Sequence, residues 1–269
     1  RARISIGQTH ILNGDYDAAL QEFWKAREQS TDPEVIAAAQ LGVGRVLLMQ
    51  SDYNGAVDQL TWLLANSSEG DSRDTGYFFL ARAYEGLDQY ILAADAYQNY
   101  IDVSPGPLDS EILEMKGDSL MEASEAENAW LAYLEALETV QPANSDALQI
   151  KIARAASEAG DDADAINRYW TLLENSTSDY IRAQANLLLG QIYLRLEMPE
   201  QAYARFQDSV TRFPTYYDTY SGLVALVEAG QPVSDLMRGI VDFYAGQYSL
   251  AIIALERYMM ENPDHDGTP

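Results

Sequence analysis

Cysteine is absent from the 269 residues, and only three of the 17 basic side chains are lysine, at Lys25, Lys116 and Lys151. Without a thiol there is no disulfide, no thiolate nucleophile and no cysteine-held zinc or iron–sulfur centre, which is compatible with either redox compartment. Histidine occurs twice, at His10 and His265, and no His-Glu-x-x-His pair, glycine-rich phosphate loop or Gly-x-Ser-x-Gly elbow is present. Apolar runs are short: residues 36–39 and 251–255 are typical, against the roughly 18 that a membrane span requires. Positive charge is also scarce, with 42 Asp+Glu against 17 Lys+Arg for a formal net of -25. Such a surface repels phosphate backbones and anionic lipid, which sets aside nucleic acid and membrane surfaces as partners. The apolar fraction of 47% nevertheless belongs to a chain that folds.

What the chain has in abundance is repetition. Gly14-Asp15-Tyr16-Asp17-Ala18-Ala19, Ser51-Asp52-Tyr53-Asn54-Gly55-Ala56 and Gly246-Gln247-Tyr248-Ser249-Leu250-Ala251 are variants of one phrase. Aligned on the alanine three places after the tyrosine, the anchors are Ala19, Ala56, Ala93, Ala129, Ala165, Ala202 and Ala251, with steps of 37, 37, 36, 36, 37 and 49. Two independent positions obey the same register. Twelve residues before the anchors stand Gly7, Gly44, Ala81, Gly117, Ala153, Gly190 and Gly239, all small. Four after them stand Phe23, Leu60, Tyr97, Tyr133, Tyr169, Phe206 and Leu255, all large. Pro105, Pro214 and Pro263 fall twelve after, and Pro142 one place late. Each unit therefore reads as two antiparallel helices in close contact at the small residue, with the large side chain filling the gap. Gly-Asp or Ser-Asp supplies the turn and cap between them, and proline closes the unit.

These positions resemble the tetratricopeptide repeat family, whose signature has a small residue and an aromatic on the first helix, alanine and an aromatic on the second, and a closing proline. The resemblance runs from Arg3 to Pro263. It departs from the family in a period two or three residues longer than the usual 34 and in Asp162 and Pro199, where tyrosine usually stands. The implied fold is all-α: a right-handed α-solenoid of about seven helix pairs in one superhelical domain over residues 1–269. Regular repeats fill 1–214 and an irregular terminal module 215–269. The long last step, spanning Tyr216 to Val227 and Gly230-Gln231-Pro232, predicts one extra helix before the final pair. The chain opens at Arg1 without an initiator methionine and stops at Asn262-Pro263-Asp264-His265 without a polar capping helix. The expectation is a processed segment of a longer protein that continues past Pro269.

Candidate functional residues are few. His10, three after Gly7, takes the place that Leu47, Tyr84 and Tyr193 hold elsewhere and reads as a packed side chain. Asp161, Asp162 and Asp164 read as a helix-start cluster favoured by the macrodipole, not as a calcium loop. The residue after the small position forms a row, Gln8, Arg45, Arg82, Asp118, Arg154, Gln191 and Ile240. In the resembled family this row faces the concave groove, so Arg45, Arg82 and Arg154 are candidate cations for an acidic ligand group. Intrahelical pairing with Glu85 and Glu158 is the competing reading. Tyr77 and Phe78 are candidates for stacking on a sugar or peptide, with packing as the alternative. Neither a cofactor nor a metal is implied.

Residues 226–248, with Asn262-Pro263, are similar to the superhelical N-terminal region of some bacterial soluble lytic transglycosylases, where a helical ring precedes a separate catalytic domain. That resemblance implies export to the periplasm or cell envelope, a non-catalytic role shaping access to peptidoglycan, and a catalytic domain beyond Pro269. A stand-alone adaptor that binds a protein or peptide in the groove, in the cytoplasm or elsewhere, is the alternative. A self-contained hydrolase is the third, disfavoured by the missing constellation.

Overall fold

A computed structural model describes residues 1–139 and 145–263, and these form fifteen α-helices with no strand among the described residues. Two compact units are distinguished, Arg1–Val140 and Gln141–Pro269.

The first unit holds four helix pairs: α1 (Ala2–Leu12) with α2 (Tyr16–Gln29), α3 (Pro33–Met49) with α4 (Tyr53–Asn66), α5 (Asp71–Glu85) with α6 (Tyr90–Val103), and α7 (Asp109–Glu122) with α8 (Ala126–Thr139). Each first helix packs on its own second helix, and α3 and α5 also pack on the pair before them. The second unit holds α9 (Ser145–Glu158), α10 (Asp162–Asn175), α11 (Asp179–Arg195), α12 (Pro199–Arg212), α13 (Tyr217–Glu228), α14 (Asp235–Tyr244) and α15 (Tyr248–Glu261). The extra helix expected from the long final step is α13. It packs on α11 and α12 as α3 packs on α1 and α2, so it fills a first-helix slot. The pair α14–α15 follows it.

The small-to-large contact predicted from spacing is the contact that is made. A methyl added to Gly7, Gly44, Gly117, Gly190 or Gly239 would stand 2.3 to 2.7 Å from Phe23, Leu60, Tyr133, Phe206 or Leu255 respectively. A carbon–carbon contact needs about 3.5 Å, so only hydrogen fits at these five places. In the two alanine repeats, Ala81 and Ala153 are buried together with Tyr97 and Tyr169. Two of the large side chains also serve the next repeat, since Gly42 of α3 closes on Phe23 from the far side and Gly222 of α13 on Phe206.

The turn inside every pair is built one way. Five residues before each anchor, Gly14, Ser51, Asp88, Ser124, Gly160, Glu197 and Gly246 have φ between 57° and 95°. The next residue's N–H then reaches back to the carbonyl five positions earlier, for example Asp52 to Leu47 and Met198 to Tyr193, at 2.7 to 2.9 Å in all seven turns. This reversal satisfies carbonyls that the ending helix leaves without partners. Four of the seven residues carry a side chain that disfavours this conformation. Glu197→Gly is accordingly expected to stabilise the fold by roughly 0.5–1 kcal/mol, read as a higher denaturant midpoint at unchanged slope.

Capping follows the sequence in part. Asp52 and Asp161 accept from the N–H of Gly55 and Asp164, both at 3.0 Å. Asp15 makes no such bond, and its carboxylate instead lies 3.6 Å from Nδ1 of the half-buried His10. Pro105, Pro214 and Pro263 follow the ends of α6, α12 and α15, while Pro33 and Pro199 stand at the first position of α3 and α12. Pro142 lies outside the described residues. Among those described, no helix is long and apolar enough to cross a membrane, and no group of three or more His, Asp or Glu could hold a metal ion.

Candidate functional site

The row that follows the small position is where the first helices diverge chemically. In the first unit, Arg45 is half-buried with its guanidinium carbon 5.1 Å from the Phe79 ring centroid, and its buried Nε has no hydrogen-bond partner. Arg82 pairs with Glu85 on its own helix at 2.5 Å. Glu85 is in turn a junction between three helices, accepting from the Tyr97 hydroxyl of α6 at 3.0 Å and the Ser119 hydroxyl of α7 at 2.9 Å. Burial and the neighbouring Glu85 carboxylate push the Tyr97 hydroxyl above its usual range, so it remains a donor. Phe78 packs against Phe79, Tyr97 and Tyr100 with ring centroids 5.3 to 6.1 Å apart. The Tyr77 ring lies 5.6 Å from the guanidinium of Arg73 on the same helix. The structure therefore does not gather these four residues into one cavity.

In the second unit Arg154 has a different setting. It lines a cavity of about 370 Å³ between α9 and α11, floored by Tyr169 of α10 and walled by Leu188 and Ile192. Gln191, the next member of the same row, and Arg195, one turn beyond it, line the opposite side. Two arginines thus border one space. The Nε of Arg154 donates to Glu158 at 3.0 Å, and the side chain as a whole is 65% exposed. Arg195 reaches back to Asp162 and Ser157 at the α9–α10 turn, which fixes its direction before any ligand arrives. Arg195 escaped sequence reasoning because it belongs to a different register position. The signal that would have found it is the helical step of four from Gln191, which returns to the same face.

Chemically, this arrangement presents charge-assisted donors around a half-apolar floor. Arginine is suited to a carboxylate because its planar fork donates two parallel bonds. With Glu158 and Asp162 each beside an arginine, the cavity is close to charge-balanced.

Elsewhere, Trp24 and Trp62 sandwich Arg27 at 5.3 and 4.2 Å, tying α2 to α4, and Arg205 of α12 covers Trp170 of α10 at 4.5 Å. These stacks join successive second helices and account for three of the four tryptophans structurally.

Residues 4–70 and 150–217 match the family described as tetratricopeptide repeat, and residues 49–154 the one described as tetratricopeptide repeat-like domain. The chain belongs to the tetratricopeptide repeat family. Its helix pairs form the α-solenoid fold of that family, a scaffold for protein interaction. Solved structures bear out the fold. The C-terminal part of a TPR repeat-containing protein from Cytophaga hutchinsonii is 12% identical, with a TM-score of 0.59 over 98% of this chain and 96% of that one. A structure from the functional characterization of Pseudomonas aeruginosa pilF is 15% identical, with a TM-score of 0.53 over 83% of this chain and 96% of that one. The MamA protein is 20% identical, with a TM-score of 0.53 over 64% of this chain and 89% of that one. No curated protein matches the sequence.

One buried carboxylate in the terminal tetratricopeptide pair has a stability consequence. Asp242 of α14 is buried, its Oδ2 has no hydrogen-bond partner, and Arg238 is 3.9 Å away. Burial raises its pKa above the ordinary 3.8, with Arg238 pulling weakly the other way. The folded state then holds this proton more tightly than the unfolded chain, so stability falls as pH rises from that ordinary value through the raised one. Asp242→Asn is expected to stabilise the fold at neutral pH by about 1 kcal/mol, a gain that shrinks as the medium is acidified toward pH 4 in denaturant titrations.

Proposed function

We propose that this chain is a non-catalytic scaffold that grips a carboxylate-bearing segment of a protein partner between α9 and α11, within an exported cell-envelope protein. The observation that carries the binding reading is the cavity shared by Arg154 and Arg195. The Arg154 side chain is largely exposed, and Arg195 is held in place from behind. The chain's formal net charge of -25 disfavours a segment that is acidic throughout. The partner accordingly brings its carboxylate singly, flanked by apolar side chains that lie on Leu188 and Ile192. The cell-envelope assignment rests on the similarity of residues 226–248 to lytic transglycosylase superhelical regions. In that reading the peptidoglycan chemistry belongs to a separate catalytic domain, and this chain positions it or its substrate. The stand-alone adaptor uses the same cavity with no tie to peptidoglycan.

The binding test compares short apolar peptides containing one glutamate with their glutamine counterparts, by fluorescence anisotropy. Arg154→Ala combined with Arg195→Ala is expected to weaken the glutamate peptide about tenfold or more, since hydrogen bonds to charged groups contribute roughly 1.5–3 kcal/mol. The glutamine peptide should be unaffected. Equal binding of both peptides to the wild-type chain removes the carboxylate reading. For the envelope assignment, the reading frame beyond Pro269 decides: a lysozyme-like domain supports the accessory role, and its absence leaves the adaptor.

A further inference from the structure

Partly buried carboxylates in this chain are partnered as a rule: Glu22 by Arg3, Glu85 by Tyr97 and Ser119, Asp164 by Arg168, and Asp208 by Asn186. Asp218, in the first turn of α13, is different. It is half-buried, it has neither a hydrogen bond nor an ion pair among the described residues, and burial alone pushes its carboxyl above the ordinary 3.8. A carboxylate withdrawn from water without a counter-charge is costly, and a cation brought beside it recovers that cost.

Where Asp218 stands follows from the repeat. Gly222 meets Phe206 as Gly42 meets Phe23, so Asp218, four residues before Gly222, corresponds to Ala38, four before Gly42. Ala38 lines the hollow between α1, α3 and α5. In α11 the matching residue is Gln184. Tyr180, Gln184, Leu188, Gln191 and Arg195, spaced by three or four, run down one face of that helix, and the last three line the Arg154 cavity. Asp218 therefore borders the same hollow of the second unit, nearer the helix starts. Tyrosines gather at this end. Tyr180 is 51% exposed with its ring centroid 6.1 Å from that of Tyr216, just before α13, and Tyr217 is 71% exposed with its ring 5.9 Å from Tyr220.

We infer, building on the carboxylate reading of the cavity, that Asp218 with Tyr180 and Tyr217 forms a subsite for a lysine or arginine side chain of the same partner segment. The faces of tyrosine rings are electron-rich and attract an ammonium or guanidinium group, and the carboxylate adds a charge-assisted hydrogen bond. An aromatic side chain would stack on the rings and leave Asp218 unpaired. An anion is repelled by Asp218 and by the formal net charge of -25. One carboxylate is also too few for calcium, which takes about six to eight oxygen ligands. Along α11, at roughly 1.5 Å per residue, Gln184 stands about 10 Å from Gln191 and about 16 Å from Arg195. An extended chain covers that span in about three to five residues. The partner is thus a segment with opposite charges about four residues apart, which reconciles a carboxylate ligand with so acidic a protein.

The test titrates the full chain with fluorescent apolar peptides that carry one glutamate and, four residues before or after it, one lysine. In companion peptides the lysine becomes glutamine or phenylalanine, or the glutamate becomes glutamine. In one of the two orders, replacing lysine by glutamine is expected to weaken binding about tenfold, and the difference should shrink in high salt. Asp218→Asn should weaken the lysine peptide by the same factor, leave its glutamine counterpart unchanged, and keep the circular dichroism spectrum without lowering the denaturant midpoint. Tyr217→Ala, at an exposed ring, should weaken the lysine peptide about threefold. If the glutamate matters and the lysine does not, the cation subsite is wrong and the arginine cavity stands; if neither matters, both fall. A phenylalanine peptide that binds as well as the lysine one, with Asp218→Asn indifferent, also overturns the subsite, because the rings then act as an apolar platform.

Discussion

Phe206→Ala is expected to lower the free energy of unfolding by about 4 kcal/mol, near the upper end for a core truncation. The ring is wedged between Gly190 on α11 and Gly222 on α13, which would place an added methyl 2.3 and 3.1 Å from it. Two glycine walls offer no side chains to swing into the space left behind, so the cavity stays open and its full cost is felt. Because stacked pairs touch only their neighbours, the loss should be local. Hydrogen exchange is expected to accelerate in α11, α12 and α13 while amides of α3 to α6 keep their protection. A uniform loss along the chain would mean that the pairs do not act as nearest-neighbour units.

The opposite perturbation belongs in the first unit. Gly117→Val is expected to destabilise by about 3 kcal/mol, although valine is the better helix former by a few tenths. The Tyr133 ring would lie 2.3 Å from the first added carbon, and its hydroxyl is tied to Asp118 at 2.7 Å. It therefore cannot yield without losing that bond. Gly106→Ala is the control, because the nearest atom to an added methyl there is 3.9 Å away. Denaturant midpoints of the two variants should separate widely. A mild effect at Gly117 would show that the α7–α8 crossing can open without cost and that this repeat does not need a small residue there.

Much of the fold was legible because one spacing recurs seven times. A position such as Gly190 is informative alone, yet the pairing of Gly190 with Phe206, sixteen residues on, carries weight because the same interval joins Gly7 to Phe23 and Gly239 to Leu255. The extra helix was visible as surplus length between Phe213 and Gly239. Its placement was not, since nothing in Tyr217–Glu228 announces that Gly222 meets Phe206. The turns were half legible: Gly14, Gly160 and Gly246 mark the left-handed position, whereas Ser51, Asp88, Ser124 and Glu197 hide it. There the six-residue hydrogen-bonded reversal imposes a backbone shape against the residue's own preference.

The candidate site was less visible than the fold. Of the arginine row, only Arg154 meets a second cation, and its companion Arg195 sits outside the row. Sequence register says which residues share a face of one helix, and it is silent on which side chains of two helices converge. That depends on crossing distance and on what holds each side chain, here Asp162 and Ser157 behind Arg195.

By itself, then, the sequence determined the repeat, the helix pairs, the small-to-large joint and the acidic, cysteine-free chemistry, because these follow from local spacing and composition. Tertiary structure alone decided that α13 occupies a first-helix slot, that Glu85 joins three helices, and that Arg154 and Arg195 border one cavity. Each of these depends on how neighbouring helices are set against one another, a distance in space that no interval along the chain encodes.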